Sequence, residues 1–521
     1  MPVNLEILYY KRIDKPVIYC TKNHSFISRV IAFCTINVTT AARRIICTFD
    51  EARLMFRYCI LFIFLILLLP GTLPASVTDT TQANREAVTM LKELIRIRSI
   101  SGSERPALEY MLRKSKEMGF TTRRFCDKDS FLNFSASIYP LESAKPNIIL
   151  LCHLDVVPAN DSNQWSHLPF SGDLTNDTLW GRGCLDMKGI GVMELIAMKS
   201  WLDSASKKEL SNNITLLFVS DEEKGSVHGA RYITENFPDL LHPKLIIGEG
   251  GGGFKNFLPS RPDKLVFFIS VAEKKSLWLR LSVKHAGGHG AMASEETANS
   301  ILIKAISRIE DKKPILSFDK TTRHMFRELG TLNGGFKGFM LRHINSFLTR
   351  PLRRHILKHQ PMLLSEVINT VQLTSIYNAP SPPNVIPDEA NAYFDCRLLP
   401  DENTKKFIRK LRLRVLNPKI KIDIIDQSPG TLASPTGEFF DAITSSLAKT
   451  YPGASTLPVL FPATTDNSFF RSLGVPSYGI LPLQLNISLI ETVHGINECI
   501  PVKNIMEGIN AYRFMLQALM K

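Results

Sequence analysis

The sequence predicts an α/β protein: a mostly parallel sheet sandwiched by helices, with an α+β unit inserted into it. Three observations point there. Continuous apolar runs (NIILLCHLD, NITLLFVSDEE and KLIIGEGGGG) alternate with helical stretches, as in a sheet covered on both faces. Each run ends in polar residues, where ligands collect in such sheets. Near residue 275 the texture changes to half-exposed alternation, and near 430 the first texture returns.

At the amino end, Tyr58 to Leu69 is an unbroken apolar run, YCILFIFLILLL, ended by Pro70 and Gly71. It is short for a membrane span, which needs about 20 residues. It suits the hydrophobic region of a signal peptide. Met55, Phe56 and Arg57 supply the expected start. Residues 1–54 are therefore expected to be an upstream extension, and residues 55–76 a signal directing the chain to a secreted or periplasmic location. The alternative is an uncleaved membrane anchor at 58–69 with a basic tail.

Residues 77–274 read as the first part of the main domain. They begin with a helix, a Ser/Gly break and a second helix, with Pro106 suited to its first turn. GIGVMELIAMKSWL has helical spacing between the first two apolar strands. Residues 275–428 read as the insert: SLWLRLSVKH and ANAYFDCRLL alternate as strands, TKKFIRKLRLRV is helical, and IKIDIID is a further strand. Residues 429–521 return to the main domain with EFFDAITSSLAKTY and VPSYGILP. A chain of 521 residues is long enough for more than one core.

Charge excludes one class. The formal net charge is +14. Residues 1–57 contribute +5 and Lys337 to Lys358 contribute +6, so the rest is nearly balanced. A nucleic-acid binder would carry its basic face on the main fold. The nine cysteines are scattered without a CxxC pair, which indicates neither a disulfide framework nor a cysteine zinc site.

The strand ends carry the chemistry. His153 and Asp155 follow the first apolar strand, and Glu222 and Glu223 follow the second. Glu249 follows the third, Asp186 lies in the Gly-rich loop LWGRGCLDMKG, and His494 lies in ETVHGINE. Imidazole and carboxylate suit a zinc-like divalent ion. Two such ions need a bridging carboxylate and about two further ligands each. His153, Asp186, Glu223, Glu249 and His494 meet that need if Asp186 bridges. Taken singly, a buried His is usually structural and a DEE triplet is usually a solvated turn. Delivery of acids or His at successive strand ends in order is far less expected by chance.

These stretches resemble a known family. HLDVVPA, the PFSGDL…LWGRG..DMKG block, SDEEKGS, GEGG, NVIPDEA…DCRLLP and HGINE are similar to dizinc peptidases and amidohydrolases. That family includes aminoacylase, carboxypeptidase S, glutamate carboxypeptidase and succinyl-diaminopimelate desuccinylase. The carboxypeptidase S-like branch and the secreted N-acyl-amino-acid hydrolases resemble it most, from about residue 85 to the end.

The resemblance implies a zinc-peptidase fold, with the insert as a lid and dimerisation domain. It implies two divalent ions, zinc above all. His153 and Glu249 would hold one and Glu223 and His494 the other, with Asp186 bridging. Asp155 would orient His153, and Glu222 would be the general base. His289 would polarise the scissile carbonyl, often across a dimer, and is preferred over nearby His285. Asn384 and Arg397 would bind a free substrate carboxylate, with a lid-surface ion pair as the plainer reading of Arg397. Asp466 would support the site. Gly248, Ala291 to Ser294 and Ala463 depart from the family pattern without removing a ligand.

The implied reaction is hydrolysis of an amide next to a free carboxylate, in an N-acyl amino acid or a small peptide. The rival readings are a dizinc aminopeptidase and a non-catalytic, membrane-associated binding protein. The insert and Arg397 argue against the first, and the intact ligand set against the second. Within the insert, Met340, Ile344, Phe347 and Leu348 recur at helical spacing among basic residues, up to a break near Pro351. That stretch is expected either to lie on anionic lipid or guide an acyl chain, or to pack as a dimer helix.

Overall fold

The computed structural model describes residues 76–125, 131–160, 162–204, 210–292, 294–358 and 360–520. The expected extension at 1–54 and the apolar run at 58–69 lie outside the described residues. Residues 78–521 form one compact unit.

The first half runs α1 (Ser76–Arg96), α2 (Arg105–Glu117), β1 (Thr121–Arg124), β2 (Phe134–Ser137) and β3 (Asn147–His153). The β4 (Asp173–Thr175) and β5 (Thr178–Trp180) hairpin precedes α3 (Lys188–Ser204) and β6 (Asn213–Val219). Then come α4 (Ala230–Asn236), α5 (Pro238–Leu241), β7 (Pro243–Gly248), β8 (Gly251–Phe254) and β9 (Val266–Glu273). Pro106 sits in the first turn of α2, where a missing N–H is harmless.

Among the described residues, ten strands form one sheet. It includes β16 (Ser455–Phe461), β17 (Ser477–Gly479) and β18 (Gln484–Leu485), and its order is β1-β2-β6-β3-β7-β17-β9-β8-β18, with β16 also on β9. The centre, β6-β3-β7-β17, is parallel. The flanks are mixed: β1–β2, β2–β6, β17–β9 and β8–β9 are antiparallel, whereas β16–β9 and β18–β8 are parallel. The expectation of a mostly parallel sheet is thus met in the middle, and the edges mix parallel and antiparallel pairs. The physical reason lies in burial. Every residue of β3 and β6 is buried, giving the unbroken apolar runs of doubly covered strands. Flanking β1, TTRR, is largely exposed and carries no such signal.

Helices α3 and α15 (Val502–Leu519) cover the sheet and share one core with its strands, including Met193, Ile196, Ile505, Ile509 and Tyr512. Each fully buried large aliphatic there contributes about 1.5–3 kcal/mol. The β3–β6 register pairs His153 with Val219, so both strands release their loops at one level.

A second, antiparallel sheet follows. Its order is β12 (Thr370–Tyr377), β14 (Glu389–Leu398), β10 (Lys275–Lys284), β15 (Lys421–Gln427). One face is apolar: Leu277, Leu279 and Leu281 of β10 and Ala392, Phe394 and Cys396 of β14 pack under α6 (Ala298–Glu310) and α11 (Thr404–Val415). Strand alternation therefore turns Ser276, Trp278, Asp395 and Arg397 to the other face. A short ribbon pairs β11 (Gly288–His289) with β13 (Val385–Ile386).

Residues 320–365 depart from this unit. Helices α7 (Lys320–Asn333), α8 (Gly335–Arg342), α9 (Arg353–Lys358) and α10 (Pro361–Ser365) share a core with the large sheet. Met325, Phe326, Ile344, Leu357 and Leu363 pack there with Val266 and Phe268 of β9 and Leu457 and Val459 of β16. The expected single amphipathic stretch is two short helices joined by a turn. Ile344 is buried and Met340 half-buried, whereas Phe347 and Leu348 point outward.

Candidate dimetal centre

His153 ends β3 and is almost fully buried. Its Nδ1 lies 3.0 Å from the Asp155 main-chain oxygen, and the Asp155 carboxylate is 3.5 Å away. That carboxylate does more elsewhere. It accepts from Ser101 Oγ at 2.7 Å and from the backbone N–H groups of Glu222 and Glu223, each at 3.1 Å. Asp155 thus ties the first strand end to the turn after the second.

The other ring nitrogen of His153 faces acids. Nε2 lies 3.2 Å from Asp186 Oδ1 and 3.8 Å from Glu249 Oε2. On the opposite side, His494 Nε2 lies 3.0 Å from Asp186 Oδ2 and 3.2 Å from Glu223 Oε1. Asp186 therefore turns one oxygen to each histidine.

The Asp186 loop is held from outside the cluster. Buried Glu498 accepts from the backbone N–H of Gly183 at 3.0 Å and of Leu185 at 2.9 Å. Arg182 donates to Glu498 Oε2 and to the Gly495 carbonyl, each at 2.7 Å. These bonds bind the Asp186 loop to the His494 loop. Sequence reasoning does not single out Glu498, and the signal available is its place inside HGINE, four residues after His494.

Burial and crowding shift the acids. Burial raises Glu222 well above the carboxylate range, with Glu249 adding to it. Glu249 is pushed up to about 7 by burial and then by Asp186, and burial also raises Glu223. Against the cost of burial, hydrogen bonds with Asp155, Asp186 and Glu249 hold the His153 imidazolium well above its usual range. His494 is raised to about 10 by Asp186 and Glu223. Burial works against ionised Asp186 as well, yet the two histidines keep it low. Acids this close cannot all ionise cheaply without compensating positive charge.

The donor set fits a metal pair. Ligand atoms of His153, Asp186 and Glu223, and of His153, Glu222 and Glu249, converge within 4.8 Å. Imidazole nitrogen with carboxylate oxygen is the zinc-like set. Glu222 falls inside this convergence beside Glu249, so proximity alone does not separate a base from a ligand.

One departure from the family pattern gains an explanation. A side chain at Gly248 would meet Asn467 Oδ1 at 2.5 Å. Asn467 fills that space and donates to the Glu249 carbonyl at 2.9 Å, steadying the strand end. Ala463 lines the cleft beside Thr464 and Thr465. Asp466, buried and raised to about 8 chiefly by that burial, accepts a hydrogen bond from Ser226 and so tethers the loop after Glu223.

The cleft over the cluster has a volume of about 240 Å³. Asp186, Glu222 and Glu249 line its floor, and Trp278 and Arg397 of the small sheet line its wall. Arg397 donates from Nη2 to Asp395 Oδ2 at 3.0 Å, so the expected ion pair and the expected cleft position both occur. His289 and Asn384 do not line this cleft. The structure sets them on the exposed ribbon, where Gly290 N–H donates to the Asn384 carbonyl at 2.7 Å. His285 is half-buried next to the same ribbon. A larger cavity of about 610 Å³ lies between the end of α6, β12 and α11, remote from the ligand set.

Histidines and acids at the strand ends of an α/β sheet, gathered about one two-faced aspartate, are the construction of a metallohydrolase. Residues 149–518 match Peptidase family M20/M25/M40, and the chain belongs to that family. It is 30% identical over 383 residues to a probable carboxypeptidase S-like 2 of Dictyostelium discoideum, covering 72% of each chain. It is 28% identical over 385 residues to the mouse (Mus musculus) N-fatty-acyl-amino acid synthase/hydrolase PM20D1, covering 70% of this chain and 73% of that one. In fold it is similar to the M20 family metallo-carboxypeptidase Sso-CP2 of Sulfolobus solfataricus, with a TM-score of 0.63 at 21% identity, covering 83% and 98% of the two chains. The chain is a metal-dependent amide-bond hydrolase.

Proposed function

We propose that the protein hydrolyses the amide bond of N-acyl amino acids or small peptides, next to a free carboxylate, using two zinc ions. One observation carries this reading: Asp186 divides its oxygens between His153 and His494 under a wall that presents Arg397. His153 with Glu249, and His494 with Glu223, would hold the ions, and Asp186 would bridge them. Such a pair supplies Lewis acidity toward the scissile carbonyl and lowers the pKa of water.

The chain's own groups do the rest. Glu222 lies in the cleft, and burial favours its protonated form. Two bound cations beside it would offset that burial and favour the carboxylate, which takes the proton of the attacking water and delivers it to the leaving nitrogen, work that suits a carboxyl with a raised pKa. Asp155 fixes the Glu222 backbone through its Oδ1. Arg397 grips the substrate carboxylate through its planar fork, exchanging Asp395 for it. The names of the Dictyostelium and mouse relatives support this substrate class. A second copy would bring His289 and Asn384 to the cleft, which accords with their exposure on the β11–β13 ribbon. Residues 55–76 would serve as the secretion signal, or residues 58–69 as an anchor.

Glu222→Gln tests the base. Turnover of an N-acyl amino acid should fall by about 10²–10⁴-fold, while metal analysis still finds two ions per chain. Full turnover in that variant refutes the assignment, and loss of the metals would make Glu222 a ligand.

A further inference from the structure

The segment 336–358 takes no part in the cleft, yet it is built with care. Gly330 of α7 and Gly338 of α8 let the two helices touch: a side chain at Gly330 would meet the Gly338 carbonyl at 2.4 Å. Ile344 and Leu357 anchor the segment in the core shared with β9 and β16. Buried Thr349 places its hydroxyl within 3.1 Å of the carbonyls of Ile344 and Ser346 and also contacts that of His343, which fixes the connecting turn.

This framework holds apolar side chains in water. Phe336 is 77% exposed, Phe347 83% and Leu348 84%. Among the described residues the exposed phenylalanines are Phe336, Phe339 and Phe347, and all lie here. Phe336 and Phe339 share a face of α8 by their spacing. Between Lys337 and Lys358 stand six Lys/Arg and no acid. Arg353 stacks over Phe318, and Arg354 bonds the Pro314 carbonyl. Lys337, Arg342, Arg350 and Lys358 have no ion-pair partner among the described residues.

We propose that this insert docks the protein on an anionic phospholipid bilayer. Phe336, Phe339, Phe347 and Leu348 would enter the headgroup boundary, and Lys337, Arg342, Arg350 and Lys358 would meet lipid phosphates. Charge decides between occupants. A second copy packed symmetrically on this face would set one basic patch against an identical one. An anionic surface complements both the cations and the apolar tips.

Hydrogen–deuterium exchange on the full chain isolates this face from any effect of the amino-terminal apolar run. Vesicles of phosphatidylcholine with phosphatidylserine should slow exchange across 336–352 by about tenfold or more, and high salt should weaken the effect. The double variant Phe347→Asp, Leu348→Asp should lose that protection while hydrolysing a water-soluble substrate normally. Unchanged exchange, equal protection by phosphatidylcholine alone, or protection retained in the variant would each overturn the proposal. So would protection that grows with protein concentration without vesicles, which would assign the face to a second copy.

Discussion

Two arginine–carboxylate pairs serve the cleft, and their surroundings differ. Arg182 and Glu498, under the floor, are 3% and 0% exposed and 2.7 Å apart. Arg397 and Asp395, on the wall, are 25% and 30% exposed, with a closest approach of 2.9 Å. The contact distances are nearly the same. The floor pair is also bonded to the backbone of Gly183, Leu185 and Gly495, so neither partner can leave without stranding the other. The wall pair faces solvent and a cavity, where water or a ligand can replace either partner. Similar chemistry thus gives a fixed fastener in one place and an exposed, replaceable pair in the other.

The comparison breaks if the two pairs respond alike to mutation. Glu498→Gln leaves the Arg182 charge buried without its counterion, which should cost about 3–5 kcal/mol in urea unfolding. Because the same bonds carry the Asp186 loop, metal content should fall as well. A cost under about 1 kcal/mol would make the floor pair no different from a surface one. Arg397→Gln should leave stability nearly unchanged but raise KM for an N-acyl amino acid by about ten- to a hundredfold, the loss of charged hydrogen bonds worth about 1.5–3 kcal/mol. The matching acyl amide without a carboxylate should show no such rise. An equal effect on both substrates would remove Arg397 from carboxylate recognition.

The smallest effect lies at the seam between β9 and β10. Lys274 is buried there near Glu366, Arg397 and Asp395, and burial pushes its ammonium down to about 8 from an ordinary 10.5. A base with its folded pKa lowered binds fewer protons than the unfolded chain across that window. Stability should therefore rise as pH rises from about 8 to 10.5. Lys274→Met should flatten that rise in thermal melts taken at successive pH values. A slope unchanged by the substitution would place its origin elsewhere.

Much of the floor was legible in the sequence. Continuous apolar runs mark doubly buried strands, and the residues that end them must emerge at one edge of the sheet. His153, Glu222, Glu223 and Glu249 follow from that, and the structure brings Asp186 and His494 to them. The supports were less legible. Glu498 acts on the loop of Asp186, more than 300 positions earlier, through backbone bonds that no motif spacing encodes. At one edge of the sheet, the short and polar β1 carries no apolar run to mark it. In the insert, helical spacing grouped Ile344 with Phe347 and Leu348. A turn pinned by Thr349 sends the first inward and the other two outward. His289 and Asn384 stand apart from the cleft, a placement their own local sequence does not encode.

Asp155 has a consequence for how the centre is held. A single carboxylate contacts the His153 imidazole and the successive peptide N–H groups of Glu222 and Glu223. The ring of His153 and the main chain of Glu222 and Glu223 are therefore held against one group. An attempt to transplant the centre would have to carry the pivot along with the visible ligands.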